Sequence, residues 1–145
     1  MLEEAKRQQI VNEARSWMGT PYHHAGRAKG FGVDCGQILA AVYEAAGLIP
    51  HVEPEPYPHD WHLHRSEERY LHLVQSYAVP TDTPKPGDIA LFKWGRCIAH
   101  GAIVVEWPRV IHSTLQLGVV EEDAEANADL KKRLAGWWTL WRSES

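Results

Sequence analysis

Residues 33–50, VDCGQILAAVYEAAGLIP, begin on a helix cap and end on a helix stop. Asp34 is a good N-cap, and behind it Ile38, Leu39, Val42, Ala45 and Ala46 recur at helical spacing until Gly47 and Pro50 end the run. The spacing predicts an apolar helix with Cys35 in its first turn. There the unpaired backbone N–H groups and the positive end of the helix dipole favour an anion, by about 0.3–1 kcal/mol at the surface and up to about 2 kcal/mol when partly buried. An ordinary thiol, with a pKa of about 8.5, is mostly protonated at neutral pH, so this position is expected to promote the thiolate and make Cys35 a candidate nucleophile. The plainer role for a lone cysteine is that of a small buried hydrophobe, and only further residues can displace it.

Outward from this helix the period changes twice. On its N-terminal side, GTPYHHAGRAKGFGV (19–33) is broken by Gly19, Pro21, Gly26, Gly30 and Gly32 and is expected to be a loop that delivers Tyr22, His23 and His24. Before it, Ile10, Val11, Ala14, Trp17 and Met18 make an apolar stripe against Glu3, Glu4, Lys6, Arg7 and Arg15, an amphipathic helix over 3–18 closed by Gly19. On the C-terminal side, four prolines and four histidines in PHVEPEPYPHDWHLHR (50–65) predict an irregular excursion, followed by a short helix over 66–77 and a loop, PTDTPKPG, at 80–87. DIALFKW (88–94), AHGAIVVE (99–106), VIHSTL (110–115) and WWTLW (137–141) are short, β-branched or aromatic, and predict an antiparallel meander. Residues 121–135 run from acidic to basic ahead of Gly136, which suits one more helix. Helices first and strands afterwards predict an α+β fold over 1–145 as one domain, the early helices packed on one face of the sheet.

Composition narrows the function. With a net charge of −4 and no run of Lys or Arg, the chain has no footprint for a nucleic-acid backbone. No stretch approaches the roughly 18 apolar residues of a membrane span, and the charged N-terminus does not read as a secretory signal. Cys35 and Cys97 amount to at most one pair, so a reduced chain is expected. Seven tryptophans suggest a contact surface as well as a core, with Trp61, Trp94 and Trp107 as candidates to line a groove.

A thiol nucleophile needs a base, and the base needs an orienting group. His100 and His112 lie in neighbouring predicted strands. Side chains alternate along a strand, so both imidazoles share a face only if the hairpin around Glu106-Trp107-Pro108-Arg109 has an odd number of loop residues. The Cys35 helix laid across that face would then bring the sulfur to His100, with His100 as general base and His112 accepting from its other ring nitrogen. Cys97 is the weaker nucleophile candidate, because residues three apart on a strand face opposite ways.

Taken in order, GTPYHHAGRAKGFGVDCGQI, KPGDIALFKW, AHGAIVVE and VIHSTL resemble the signatures of the NlpC/P60 cysteine peptidases, in particular the phage-borne cell-wall peptidases of tail gene clusters. The resemblance runs from about Trp17 to about Leu115. It implies a papain-like triad of Cys35, His100 and His112, with the Tyr22 hydroxyl helping the oxyanion site. The implied substrate is the amide between D-γ-glutamyl and a diamino acid in peptidoglycan stem peptides, and the implied partners are phage tail proteins. A cytoplasmic or particle-associated location follows, and the reaction calls for no cofactor and no metal. Gly36-Gln37 stands where the family usually has Ser-Gly, and Ala25-Gly26 where it has Gly-Gly; Gly36 clears space for substrate beside the sulfur but brings no hydroxyl.

Three other readings compete. His51, His59, His62, His64 and His72 raise a zinc site begun by the His62/His64 pair. A non-catalytic tail scaffold or wall-binding module would leave the triad unused. A thiol amidase or acyltransferase would keep the triad and change the acyl acceptor.

Overall fold

The computed structural model describes residues 2–24, 26–50, 69–94 and 97–141. Helix α1 (Leu2–Arg15) is followed by a two-stranded ribbon, β1 (Arg27–Ala28) and β2 (Gly32–Val33), and then by α2 (Gln37–Ala45). After α3 (Arg69–Gln75) come β3 (Val79–Thr81), β4 (Ile89–Trp94), β5 (Cys97–Glu106), β6 (Arg109–Thr114), β7 (Gly118–Asp123), α4 (Ala128–Arg133) and β8 (Leu134–Thr139). Apart from the small ribbon, the strands form one antiparallel sheet in the order β3-β8-β4-β5-β6-β7. The expected α+β architecture is therefore present.

Strand alternation divides the apolar residues between two layers. Ile89, Leu91, Ile103, Ile111 and Val119 face α1 and α2, where they meet Ile10, Ala14, Ile38 and Val42, all buried. Ala90, Phe92, Ala102, Val104 and Val110 face the other way and pack with Leu130 of α4. Burying each large aliphatic side chain is worth about 1.5–3 kcal/mol, so both layers hold the sheet. The first layer also carries a buried ion pair: Arg7 Nη1 donates to Asp88 Oδ1 at 2.7 Å and to the Pro86 carbonyl at 3.0 Å, tying α1 to the turn before β4.

Several expectations are corrected. Met18 is exposed, because α1 stops at Arg15 and the chain turns before Gly19, whose φ is +85°. The helix expected over 121–135 is only α4, and Glu121, Glu122 and Asp123 instead close β7, hydrogen-bonded to β6 in unbroken register. The sheet is a meander only from β4 to β7: β8 begins at Leu134, folds back beside β4 and places β3 at the edge. Tertiary pairing prevailed there over the acidic-to-basic charge gradient. The Pro/His excursion, Trp61 and the His62/His64 pair lie outside the described residues.

Candidate functional site

Asp34 caps the helix as expected: its Oδ1 accepts the N–H of Gly36 at 3.0 Å and of Gln37 at 2.8 Å. Helical hydrogen bonding starts with the Ile38 N–H on the Asp34 carbonyl, and α2 proper starts at Gln37, so Cys35 stands in the turn leading into it. Cys35 is half-buried and Cys97 fully buried, and the two do not form a disulfide with each other. Cys97 belongs to the apolar layer under α2, which suits the inert role expected of it.

The hairpin meets the parity requirement through a bulge. Val104 pairs with Val110 across residues 105–109, an odd number, and the register then shifts so that Glu106 pairs with Arg109. His100 and His112 consequently share a face, and His100 Nε2 lies 2.7 Å from His112 Nδ1. Contrary to the expectation that the Cys35 helix lies across the histidine face, α2 covers the opposite one. His100 packs against Phe92 and Trp94 of the second layer, whereas α2 sits on the side of Ile103 and Ile111. The sulfur meets β5 at its main chain, just before the β5–β6 ladder that starts at Ile103. It lies 3.5 Å from the Ala99 carbonyl oxygen, to which the thiol donates, and beside the Gly101 N–H, and so touches the residues on both sides of His100.

Electrostatics overturn the expected thiolate. Burial pushes the Cys35 thiol far above its usual range and the Asp34 carboxylate pushes it further; the N–H groups of Cys35, Gly36 and Gly101 pull the other way without offsetting them. The His100 imidazole is held well below its ordinary 6.5 by burial and by His112. His112 is lowered by burial as well, against the pull of Glu122. Near neutrality the thiol and both imidazoles are thus held in their uncharged forms.

Tyr22 reaches the site through its loop. A bridge between Tyr22 and Val33, with His23 N–H on the Val33 carbonyl and Val33 N–H on the Pro21 carbonyl, zips residues 21–23 along β2 immediately before Cys35. Burial, and then Cys35 and Asp34 nearby, raise the Tyr22 phenol, so it stays a hydroxyl donor. Gly36 spends its N–H on Asp34 and lines an apolar cavity with Leu39, Tyr43, Val74 and Leu140, of about 50 Å³. Trp94 lies against His100, at 5.2 Å between ring centroids, while Trp107 packs edge-on against Trp137. The sequence reasoning missed Glu122, whose Oε2 is 2.6 Å from His112 Nε2. Had residues 118–123 been read as a strand, VVEE would have placed Glu122 across from Val110, on the face of His112.

The profile of the NlpC/P60 family matches residues 19–139. Among solved structures, the chain is similar to the NlpC/p60 domain of the peptidoglycan hydrolase SagA, with a TM-score of 0.58 and 18% identity over 91% of this chain and 96% of that one. It is also similar to an NLP/P60-family protein of Staphylococcus aureus described as similar to lipoprotein, with a TM-score of 0.67 and 20% identity, covering 96% of this chain and 42% of that one. The P60 domain of an antigen from M. avium subspecies paratuberculosis gives a TM-score of 0.59 and 15% identity over 99% and 100% of the two chains. The chain thus spans less than half of the staphylococcal protein, and at these identities the likeness is one of fold. No curated protein sequence matches it.

Proposed function

Because the chain belongs to the NlpC/P60 family, we propose that it is a cysteine peptidase of peptidoglycan stem peptides, with Cys35 as nucleophile, His100 as general base and acid, and His112 orienting His100. One observation carries this: the Cys35 sulfur rests on the main chain flanking His100, while the ring of His100 is tied through Nε2 to His112. That tie leaves Nδ1 as the nitrogen for the thiol.

From a neutral pair, His100 takes the thiol proton as the sulfur adds to the substrate carbonyl. The oxyanion is met by the Cys35 N–H and the Tyr22 hydroxyl, donors worth roughly 10²–10³ in rate each by analogy with other oxyanion sites. The imidazolium then gives its proton to the leaving amine, the C–N bond breaks, and water hydrolyses the thioester to restore the thiol. The proposed bond is the amide from D-γ-glutamyl to a diamino acid, reached on a phage-type particle in association with tail proteins. Digestion of muropeptides by wild type and Cys35→Ala, followed by mass spectrometry, tests the reaction. Wild type should release the fragments of that cleavage and Cys35→Ala should lose at least about 10³-fold in rate. Equal release by both proteins, or release by neither, overturns the peptidase in favour of a wall-binding module. Thiol-dependent products of another mass would point to an amidase or acyltransferase.

A further inference from the structure

We propose that Glu122 is a positioning residue that sets the tautomer of both imidazoles, through a hydrogen-bonded line from the cap of α4 to His100. The line starts where proton positions are fixed by the backbone. Asn127 caps α4, its Oδ1 accepting the N–H groups of Asp129 and Leu130, each at 3.1 Å. Its amide nitrogen therefore faces the other way and donates to Glu122 Oε1 at 2.9 Å. The remaining oxygen, Oε2, lies 2.6 Å from His112 Nε2. A carboxylate only accepts, so His112 carries its proton on Nε2. A neutral imidazole has one N–H, which leaves His112 Nδ1 bare, and at 2.7 Å it accepts from His100 Nε2. His100 Nδ1 is then the bare nitrogen, the one the thiol needs.

Two further facts keep the line in this state. Burial and the neighbouring imidazole oppose protonation of His100, and His112 is itself buried, so neither ring gains a second N–H near neutrality. Burial opposes ionisation of Glu122, but hydrogen bonds from Asn127 and His112 outweigh it and hold the carboxyl below its ordinary 4.5.

The kinetic consequence rests on the peptidase reading, whereas the tautomers belong to the fold. In Glu122→Gln, Asn127 still donates to Oε1, which turns the new amide nitrogen towards His112 Nε2. That nitrogen must now accept, and both rings invert, placing a proton on His100 Nδ1. Nitrogen-15 NMR of the ring nitrogens at neutral pH should show Nε2–H at His100 and His112 in the wild type, and Nδ1–H at both in Glu122→Gln. On muropeptides kcat should fall about 10²–10⁴-fold with KM changed less than about threefold, as when the acid of a serine-protease triad becomes its amide. Nδ1–H at either ring in the wild type overturns the proposal with no variant needed, and so do unchanged ring spectra in Glu122→Gln, whatever its rate. Inverted tautomers with an unchanged rate support the line and overturn His100 as the base, so the two failures are distinguishable.

Discussion

At Cys35 two properties of one turn oppose each other. The backbone N–H groups that open α2 favour a thiolate, and the Asp34 side chain that organises those groups carries a negative charge beside the sulfur. With burial added, the charge and desolvation prevail, and the thiol points its hydrogen at the Ala99 carbonyl. Asp34→Asn separates the two roles, since an asparagine oxygen caps almost as well and brings no charge. The variant should keep its melting temperature to within a few degrees and show a lower thiol pKa. Alkylation by iodoacetamide, followed against pH, should become severalfold faster near neutrality; an unchanged or higher pKa would show that Asp34 does not hold the sulfur in its thiol form. Cys35 and its cap were legible because each signal is local, a capping residue next to a helical period. The ionisation state was not, because it depends on how deeply β5 and its neighbours bury that turn.

The same contrast holds for the elements. β4, β5 and β6 announced themselves by β-branched runs, and the two histidines could be placed on one face subject only to the parity of a hairpin, a condition the bulge between Val104 and Glu106 fulfils. β7 was hidden because EED at its end reads as the acidic first turn of a helix, and with it went Glu122. What holds β7 in place is long-range. Gly19 N–H donates to the Val119 carbonyl and Val119 N–H to the Thr20 carbonyl, so the loop that leads to Tyr22 is laced to the start of β7. Gly118 permits this approach: its φ is +73°, and a Cβ there would stand 2.3 Å from the Thr20 carbonyl oxygen. Gly118→Ala should therefore destabilise the protein by about 1–3 kcal/mol through backbone strain and overpacking, and displace the loop carrying Tyr22. Chemical denaturation reads the first effect. Muropeptide hydrolysis reads the second as a kcat lower than in Thr20→Ser, which trims a side chain in the same loop but leaves the crowded carbonyl in place. A stability within about 0.5 kcal/mol of wild type would mean that β7 and the loop are not in fact locked together.

For the molecule as a whole, the buried imidazole pair links the proposed chemistry to global stability. His100 and His112 are neutral in the folded state, with pKa values held below the ordinary 6.5 by burial in both cases, and by His112 in the case of His100. In the unfolded chain each titrates near 6.5, so below that pH the unfolded state binds more protons than the folded one, and stability must fall as pH falls. The slope is up to about 1.4 kcal/mol per pH unit for each imidazole and ends where the folded-state rings protonate. A second, separate loss begins lower: Glu121, held down chiefly by its hydrogen bond from Arg109, and Glu122 lie below 4.5 in the fold, and their contribution is present above that value and lost as pH drops through the folded values. Two windows are therefore expected in a titration of unfolding free energy, one opening near pH 6.5 and one near pH 4.5. His112→Asn removes one titrating ring and the unfavourable neighbour of the other, so it should flatten the first window; the second should shrink, because Glu122 loses its hydrogen bond from His112, but the part carried by Glu121 and Arg109 should stay. Urea unfolding followed from about pH 7.5 down to about 3 measures both. If the wild type were equally stable at pH 7 and pH 5.5, the two rings would be titrating freely in the fold, and a buried, hydrogen-bonded pair of neutral imidazoles would not describe this protein.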